Sequence, residues 1–140
     1  MKHFKNTKIF TLLIAVPLIL ALSISCKSNE EPTKVAVEIP SQYYGTWVYT
    51  SGSADALELN SSSDGSSTSV GIFIYNTNGS YLDSQSLTGS AGYVDWSNID
   101  VTKNSDTSWS WKGYTFSFNS STGGTLSYNG SDYAIIKKQN

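Results

Sequence analysis

The sequence predicts an all-β domain built from antiparallel strands. After residue 40 no stretch shows the 3.6-residue apolar period of a helix, whereas alternating apolar and polar residues recur with turn signals about every 8–12 residues. All eleven glycines, nine tyrosines and four tryptophans lie beyond residue 25, beside many Ser, Thr and Asn residues. Aromatic and β-branched residues separated by Gly, Asn and Ser are typical of strands joined by tight turns. This pattern leaves a sandwich and a barrel as the two architectures to consider.

Residues 1–25 have the layout of a secretory signal peptide. Three lysines precede an apolar run, Ile9–Leu22, and small residues follow it. The alternative is a transmembrane anchor, which needs about 20 apolar residues. This run is shorter, contains Pro17 and ends in serines. We therefore expect the leader to be removed from the mature protein.

The end of the leader, Leu22-Ser23-Ile24-Ser25-Cys26, resembles the lipobox of bacterial lipoproteins. In that family a small residue precedes a cysteine whose thiol receives a diacylglycerol before cleavage, and Ser25 occupies the small position here. Leu22 lies one position earlier than the usual leucine. The resemblance implies a lipid on Cys26 that anchors the protein in the cell envelope, to a bacterial outer membrane. It does not distinguish the periplasmic face of that membrane from the cell-surface face. The alternative is a free thiol on Cys26. That alternative gives no reason for the only cysteine of the chain to stand at the end of the leader.

Residues 26–40 are expected to form the lipidated N-terminus and a flexible tether. The segment Lys27–Lys34 is polar, charged and interrupted by Pro32, so it has no apolar face to bury. Beyond the cleavage site the chain has six lysines, no arginine and eleven acidic residues, a net charge of −5. Nucleic-acid binding requires a basic surface that neutralises phosphates, so we expect no nucleic-acid partner.

The composition also argues against catalysis. His3 lies in the leader and Cys26 is the only cysteine, so the mature chain cannot run a Ser-His-Asp or Cys-His mechanism. It also lacks the usual zinc ligands. A pair of carboxylates, as in glycosidases, stays formally possible, but the acidic residues are scattered and no pair stands out. We therefore expect no enzyme activity, no metal and no cofactor.

Ten segments beyond residue 40 are predicted strands, and some of them are expected to merge, leaving about eight. They are residues 44–50, 54–60, 69–76, 81–88, 93–97, 99–103, 107–112, 114–119, 125–128 and 133–138. The Ser-rich segment 60–67 is expected to be a mobile loop because of its low complexity. It lacks the alternating oxygen ligands and the closing Glu of a calcium loop.

Three dipeptides that contain glycine predict tight hairpins, namely Asn78-Gly79, Lys112-Gly113 and Asn129-Gly130. Asn-Gly is the strongest signal, because both central residues of a type I′ turn need a positive φ. The last of these turns should place Tyr128 opposite Ser131 and Leu126 opposite Tyr133.

The turn at Lys112-Gly113 should place aromatic side chains on one face of its hairpin. It sets Trp111 opposite Tyr114, Trp109 opposite Phe116 and Thr107 opposite Phe118. We expect this face to be the core, because a domain of this size needs its large side chains inside. The alternative is an exposed aromatic platform that binds sugar.

A second resemblance begins at Tyr44-Gly45-Thr46-Trp47. Gly45 and Trp47 match the Gly-x-Trp with which lipocalins and related calycins, such as the avidins, begin the first strand of their barrel. In those families the Trp stacks on a basic side chain near the last strand, where Lys137 and Lys138 stand here. The resemblance implies a small antiparallel up-and-down β-barrel of about eight strands at residues 41–140, behind the signal peptide and the tether.

Two hypotheses for the function follow. The barrel resemblance implies non-catalytic binding of a small apolar or amphipathic ligand in the barrel mouth, near Tyr93, Trp96 and Trp109. The other hypothesis is a surface-exposed interaction or adhesion lipoprotein that binds an envelope or host protein or glycan and holds no internal ligand. A solid interior would count against the first hypothesis. The second predicts an exposed apolar patch or an uncovered sheet edge.

Overall fold

Nine antiparallel strands form one sheet in residues 35–140, the part of the chain that the computed structural model describes. The strands are β1 (Gly45–Tyr49), β2 (Asp55–Ser63), β3 (Ser67–Tyr75), β4 (Tyr81–Ser90), β5 (Thr102–Ser105), β6 (Ser108–Trp111), β7 (Tyr114–Phe118), β8 (Gly123–Tyr128) and β9 (Ser131–Lys138). Short 3₁₀ turns lie at Ser41–Tyr43, before β1, and at Trp96–Ile99, between β4 and β5. The prediction of an all-β antiparallel domain is confirmed.

The sheet is a curled half-barrel that does not close. Its strand order is β4-β3-β2-β1-β9-β8-β7-β6-β5, so consecutive strands pair everywhere except between β4 and β5. β9 returns to pair with β1. This is the order of an up-and-down barrel opened at one seam, and the expected closed barrel is therefore not formed. A long connection that contains the turn Trp96–Ile99 joins β4 to β5 in place of a tight hairpin, and its Trp96 and Ile99 are buried in the core.

Side chains bridge the opening between β4 and β6. The Nε1 of Trp111 donates to Oε1 of Gln85 over 3.1 Å. The Nζ of Lys112 lies 3.1 Å from Oδ1 of Asp83 and 4.6 Å from the centroid of the Trp111 ring. Exposed ion pairs contribute only about 0–1 kcal/mol. The buried indole of Trp111 is therefore the main contact across the opening.

The core fills the inner face of the half-barrel. Its largest fully buried side chains include Trp47, Tyr49, Trp109, Trp111 and Phe116. Tyr43 stacks on Phe118 with ring centroids 4.3 Å apart and planes 14° apart. Ile39, at the end of the predicted tether, is also fully buried. The packed part of the chain therefore begins before residue 41.

The hairpin of β6 and β7 has the predicted register and orientation. Trp109 pairs with Phe116, and Trp111 pairs with Tyr114. Trp109, Trp111 and Phe116 are at most 1% exposed. At the turn, Lys112 and Gly113 have φ values of 47° and 85°, as a type I′ turn requires. The aromatic face is therefore core, and its interpretation as an exposed sugar platform is wrong.

The hairpin of β8 and β9 confirms one predicted contact and corrects another. Asn129-Gly130 has φ values of 49° and 79°, and Tyr128 lies opposite Ser131 as predicted. A bulge after Leu126 then shifts the register, so Leu126 faces Ala134 instead of the residue before it. Bulges of this kind insert one residue into one strand, and they are set by packing rather than by the turn.

The loop between β3 and β4 is longer than the predicted two-residue turn at Asn78-Gly79. Asn76 donates its N–H to the carbonyl of Ser80 and accepts the N–H of Gly79 on its own carbonyl, each over 2.9 Å. Its side-chain oxygen also accepts from the N–H of Ser80 over 2.9 Å. Asn76 therefore organises a wider loop in which Gly79 alone has a positive φ, of 80°.

The Ser-rich segment expected to be a mobile loop is mostly strand. β2 extends to Ser63 and β3 begins at Ser67, which leaves a short turn around Asp64. The carboxylate of Asp64 accepts the backbone N–H and the hydroxyl of both Ser66 and Ser67, over 2.7–3.1 Å. Hydrogen bonds to the charged form, that to the Ser67 N–H foremost, hold the pKa of Asp64 well below its ordinary range. Asp64 is a turn signal in the sequence, but the low complexity of the serines around it led to the prediction of a mobile loop.

Replacing Asp64 with alanine is expected to lower the Tm at neutral pH, because the turn loses its acceptor. Since the folded-state pKa is lowered, the contribution of the carboxylate is complete above the ordinary pKa of 3.8 and is lost as the pH falls towards the folded value. Asp64→Asn is the control, because its amide oxygen accepts hydrogen bonds but does not titrate. Thermal unfolding should show a Tm difference between wild type and Asp64→Asn that is constant above about pH 5 and shrinks below it. A difference that stays constant down to about pH 2 would contradict this account.

Candidate functional site

Trp109, expected to line a ligand-binding mouth, is a core residue. Its side chain is fully buried, and its ring centroid lies 5.8 Å from that of Tyr43, 6.4 Å from Phe116 and 6.2 Å from Phe118. Its Nε1 has no hydrogen-bond partner among the described residues. An unsatisfied buried donor costs about 1–3 kcal/mol, so ring packing has to outweigh that cost. Trp109 therefore stabilises the domain through its apolar contacts.

Trp96 and Tyr93, the other two residues expected at the mouth, lie in the connection between β4 and β5. Trp96 is 2% exposed, and its Nε1 donates to the hydroxyl of Tyr44 over 3.4 Å. It begins a 3₁₀ turn that Asp95 caps by accepting the N–H of Ser97 over 2.6 Å. Tyr93 is 81% exposed. Two of the three predicted residues are in the core and one projects from the surface, so they do not line a common opening.

Gly45 and Trp47 lie at the start of β1, where the resemblance implied. Gly45 has a φ of 115°, a value that favours glycine. Trp47 is fully buried, and its Nε1 donates to the carbonyl of Tyr43 over 2.9 Å. These two residues therefore start the first strand and anchor it in the core.

The lysines near the end of β9 lie beside β1. Lys137 pairs with Val48 and is exposed, while Lys138 pairs with Trp47. The ammonium group of Lys138 donates to the carbonyl of Gln42 over 2.8 Å. It thus holds the segment before β1 through a backbone carbonyl. Both lysines also border a shallow, open cleft with Val48 and the C-terminal residues.

Cys26 and the rest of the leader lie outside the described residues. The lipid attachment therefore stays a prediction from the sequence. Within residues 35–140, no helix is both long enough and apolar enough to cross a membrane.

Several acidic side chains of the described part have structural partners. Asp83 bridges the opening of the sheet, and Asp106 lies 2.6 Å from the Nζ of Lys103. Asp64 and Asp95 accept backbone N–H groups in turns. Among the side chains that the structure describes in residues 35–140, which exclude that of Asp132, no three from His, Cys, Asp or Glu come together in a way that could hold a metal ion.

Glu58 is the centre of a polar cluster on β2 and β3. Its Oε1 accepts from the amide of Asn60 over 2.7 Å, and its Oε2 accepts from the hydroxyl of Tyr75 over 3.3 Å. Burial, followed by the charge of Glu58, raises the pKa of Tyr75. The phenol therefore stays protonated at neutral pH, so the cluster is suited to joining two strands rather than to proton transfer.

Exposed apolar side chains concentrate on and beside β4. Tyr81, Leu82 and Leu87 are 57%, 42% and 41% exposed, and Tyr93, which follows the strand, is 81% exposed. They are four of the seven exposed large apolar side chains among those that the structure describes, a set that excludes Tyr133. Clustered exposed apolar groups mark interaction sites, whereas single ones do not. The region around β4 is therefore the best candidate for an interaction surface.

Two ring pairs that each include an exposed tyrosine, Tyr81 or Tyr128, are not coplanar. The rings of Tyr75 and Tyr81 are inclined by 78°, and those of Tyr114 and Tyr128 by 45°. A sugar-binding module of the kind considered from the sequence would need two coplanar rings on the outside. Neither pair has that geometry.

β4 is also the less protected of the two sheet edges. It pairs with β3, and no described strand pairs with its other side. The opposite edge, β5, has four residues and contains Lys103. Short length and lysine both protect an edge from further pairing. β4 has ten residues, no lysine and no proline, so it lacks these protections.

Alternate residues of β4 turn their backbone groups to the open side. The N–H of Ala91 donates to the carbonyl of Ser66 over 3.1 Å, and the register from there to Asp83 is unbroken. In an antiparallel pair every second residue exchanges hydrogen bonds with its partner, which makes Leu87 and Gln85 the residues bonded to β3. Ser86 between them, and Ser84 and Thr88 on either side, therefore point their N–H and C=O groups away from β3.

The sequence predicted β4 as a strand but not as an edge. The signal was the charge content of the segment, since Asp83 is the only charged residue in Tyr81–Ser90. A second signal was the absence of a tight turn directly after it. Only the second feature distinguishes β4 from β6 and β8, each of which is followed by a two-residue turn containing glycine, because β6, β7 and β8 contain no charged residue.

Comparisons of the chain with protein-family models, with curated proteins and with solved structures find no match. The function is therefore inferred from the sequence and from the geometry of residues 35–140.

Proposed function

We propose that this protein is a lipid-anchored, non-catalytic binding protein of the bacterial cell envelope. It engages a macromolecular partner through its outer surface and holds no small ligand inside. One observation carries this proposal: large rings fill the inner face of the half-barrel, while exposed apolar side chains collect at β4. Binding at β4 would remove that apolar surface from water, which is favourable.

The strand order supports a lipocalin-like relationship. Consecutive strands pair in up-and-down order, and Gly45 and Trp47 begin the first of them. The interior differs from that of a ligand-binding barrel, because Trp96 and Trp109 are buried in the core. Small barrels are either filled by side chains or hold one ligand, and a filled interior favours surface binding.

The proposed anchor keeps the domain close to a membrane. Since Val37 packs against the core and Ile39 is buried, the proposed arm that follows Cys26 is the ten-residue segment Lys27–Ala36. Fully extended at about 3.3–3.6 Å per residue, this arm would reach about 35 Å. One acyl chain binds a membrane weakly, so a lipid with two or more chains fits a stable anchor.

Replacing Cys26 with serine is expected to abolish lipid attachment, because the variant has no thiol to accept the diacylglycerol. Metabolic labelling with radioactive palmitate should mark the wild-type protein and leave Cys26→Ser unlabelled. Ser28→Ala is the matched control two residues away and should be labelled like wild type. Palmitate that remains on Cys26→Ser would contradict the proposed anchor.

The intact mass tests surface binding against internal binding. Mass spectrometry measures the mass of the mature protein, extracted from membranes, under denaturing and under native conditions. We expect the denatured mass to equal the chain from Cys26 plus its lipid, and the native mass to be that value or a whole multiple of it. A small molecule present in stoichiometric amount only under native conditions would overturn surface binding and favour an internal ligand.

A further inference from the structure

We infer that Asn129 is a site of spontaneous deamidation, at which the backbone nitrogen of Gly130 attacks the side-chain amide and the asparagine becomes aspartate or isoaspartate. The site is independent of the proposed anchor and of the proposed partner, because it lies in the turn between β8 and β9. The inference comes from a comparison of the two Asn-Gly dipeptides of the chain, Asn78-Gly79 and Asn129-Gly130.

Deamidation needs only the asparagine, the residue after it and water. The deprotonated backbone nitrogen of the following residue forms a bond with Cγ of the asparagine, and the side-chain nitrogen leaves as ammonia. Water then opens the resulting five-membered succinimide at either carbonyl, which gives aspartate or isoaspartate. Glycine in the following position favours the reaction, because no side chain hinders the approach of its nitrogen. Both Asn-Gly dipeptides therefore have the required sequence.

At Asn78-Gly79 the loop holds both reacting groups in hydrogen bonds. The N–H of Gly79, which carries the nucleophilic nitrogen, donates to the carbonyl of Asn76 over 2.9 Å. The side-chain oxygen of Asn78 accepts the N–H of Ser80 over 3.0 Å. Deprotonation of the nitrogen breaks the first bond, and rotation of the side chain towards it breaks the second. The loop between β3 and β4 therefore protects Asn78.

At Asn129-Gly130 neither reacting group is held in this way. Both residues are exposed, and they are the central pair of the turn, with φ values of 49° and 79°. The N–H of Asn129 donates to the carbonyl of Gly113 over 2.8 Å, but this nitrogen takes no part in the reaction. Among the described residues, the N–H of Gly130 and the side-chain amide of Asn129 have no hydrogen-bond partner. A β-turn bonds its first residue to its fourth, so the N–H of the third stays open to solvent.

This difference in hydrogen bonding sets the expected selectivity. Two bonds have to break before the ring closes at Asn78, and none has to break at Asn129. Each such bond slows the reaction several-fold, so Asn129 should react at least about ten-fold faster than Asn78 in the folded protein.

The isoaspartate product is expected to disturb two neighbouring turns. A Cβ at Gly113 would lie 2.6 Å from Oδ1 of Asn129 and 3.3 Å from Cε2 of Tyr128, so the turn between β8 and β9 packs closely on the turn between β6 and β7. Isoaspartate adds a carbon to the main chain, which changes the geometry that a two-residue turn requires. Aspartate keeps the length of the main chain and, like asparagine, suits a type I′ turn. The isoaspartate product should therefore be the destabilised one.

Incubation of the folded, mature protein at mildly alkaline pH tests the site. Cleavage after lysine places Asn78 in the peptide of residues 35–103 and Asn129 in that of residues 113–137, and tandem mass spectrometry assigns each deamidated residue. We expect deamidation at Asn129 to be at least about ten-fold faster than at Asn78. Equal rates, or faster reaction at Asn78, would overturn the inference. So would a folded protein that keeps Asn129 intact while the unfolded protein reacts completely.

The same chain in concentrated guanidinium chloride is the control for the role of the fold. Unfolding removes the hydrogen bonds of both turns, and the two reacting dipeptides are identical, so Asn78 and Asn129 should then deamidate at similar rates. A preference for Asn129 that persists at full strength in the unfolded chain would contradict the structural account, because flanking sequence alone would then produce it.

Asn76→Ala tests whether the loop between β3 and β4 protects Asn78. The variant loses the side-chain oxygen that accepts the N–H groups of Asn78 and Ser80, over 3.1 and 2.9 Å. Deamidation at Asn78 should become several-fold faster, while the rate at Asn129 should stay that of wild type. A rate at Asn78 that does not change would contradict protection by this loop.

Thermal unfolding of the separated products tests the consequence for the fold. Asn129→Asp supplies the aspartate product alone, and chromatography of incubated wild type supplies the isoaspartate product. We expect Asn129→Asp to unfold close to the Tm of wild type and the isoaspartate product to unfold several degrees lower. Equal Tm values for the two products would contradict the close packing of the two turns around Asn129.

Discussion

Replacing Trp109 with alanine is expected to lower the free energy of unfolding by about 3–5 kcal/mol. The side chain is fully buried against the rings of Tyr43, Phe116 and Phe118, so truncation removes many contacts and leaves a cavity. A small domain has about 5–15 kcal/mol of stability in total, so this loss is a large share of it. Urea unfolding followed by circular dichroism measures the effect.

Tyr93→Ala is the control for Trp109→Ala. Both residues were expected at a ligand-binding mouth, but Tyr93 is 81% exposed. Its removal should change the free energy of unfolding by no more than about 0.5 kcal/mol. If Trp109 lined an open mouth, its replacement would also cost little, and a change below about 1 kcal/mol would contradict its place in the core.

Replacing Gly124 with alanine is expected to destabilise the fold by about 1–3 kcal/mol. A Cβ at this position would lie 2.6 Å from the carbonyl oxygen of Ser117 and 2.9 Å from Cδ1 of Phe118. The backbone of β7 cannot move away easily, because it is paired on both sides with β6 and β8. Thermal unfolding of the variant should show a Tm several degrees below that of wild type.

Gly52→Ala is the matched control for Gly124→Ala. A Cβ at Gly52 would meet no atom within 4 Å, and the backbone there does not have a positive φ. We expect this variant to unfold within about 0.5 kcal/mol of wild type. Equal losses in the two glycine variants would contradict the close approach of β7 and β8 as the cause, because alanine at the unstrained Gly52 only lowers the entropy of the unfolded chain.

Features governed by local backbone chemistry were predictable from the sequence. The turns at Lys112-Gly113 and Asn129-Gly130 follow from the need for two positive φ values, and the structure has both. The buried face of Trp109, Trp111 and Phe116 follows from alternation along two strands joined by one of these turns. Each of these results depends on residues that are close in sequence.

Features that depend on distant contacts were not predictable in the same way. The opening between β4 and β5 results from how the connection around Trp96 packs into the core, which periodicity does not report. The bulge after Leu126 shifts a register that the turn alone would not shift. Trp109 could serve a mouth or a core, because a large amphipathic ring suits both, and only its burial decides between them.

The candidate interaction surface around β4 was likewise only partly predictable from the sequence. The low charge of Tyr81–Ser90 is visible in the sequence, but an edge exists only once the strand order is known. The exposure of Leu82 and Leu87 likewise depends on the missing neighbour of β4. In a strand in the middle of the sheet, the same low charge would not indicate an interaction surface.

Hydrogen exchange at the indole Nε1 of Trp109 tests the packed interior most directly. This N–H is fully buried and has no partner among the described residues, so its protection reports the access of solvent rather than a hydrogen bond. If the inner face is closed and binding takes place outside, the indole proton should exchange at least about 100-fold more slowly than exposed amides. Exchange at the rate of an exposed group would show that solvent reaches the interior, and it would contradict the packed inner face on which binding through the outer surface rests.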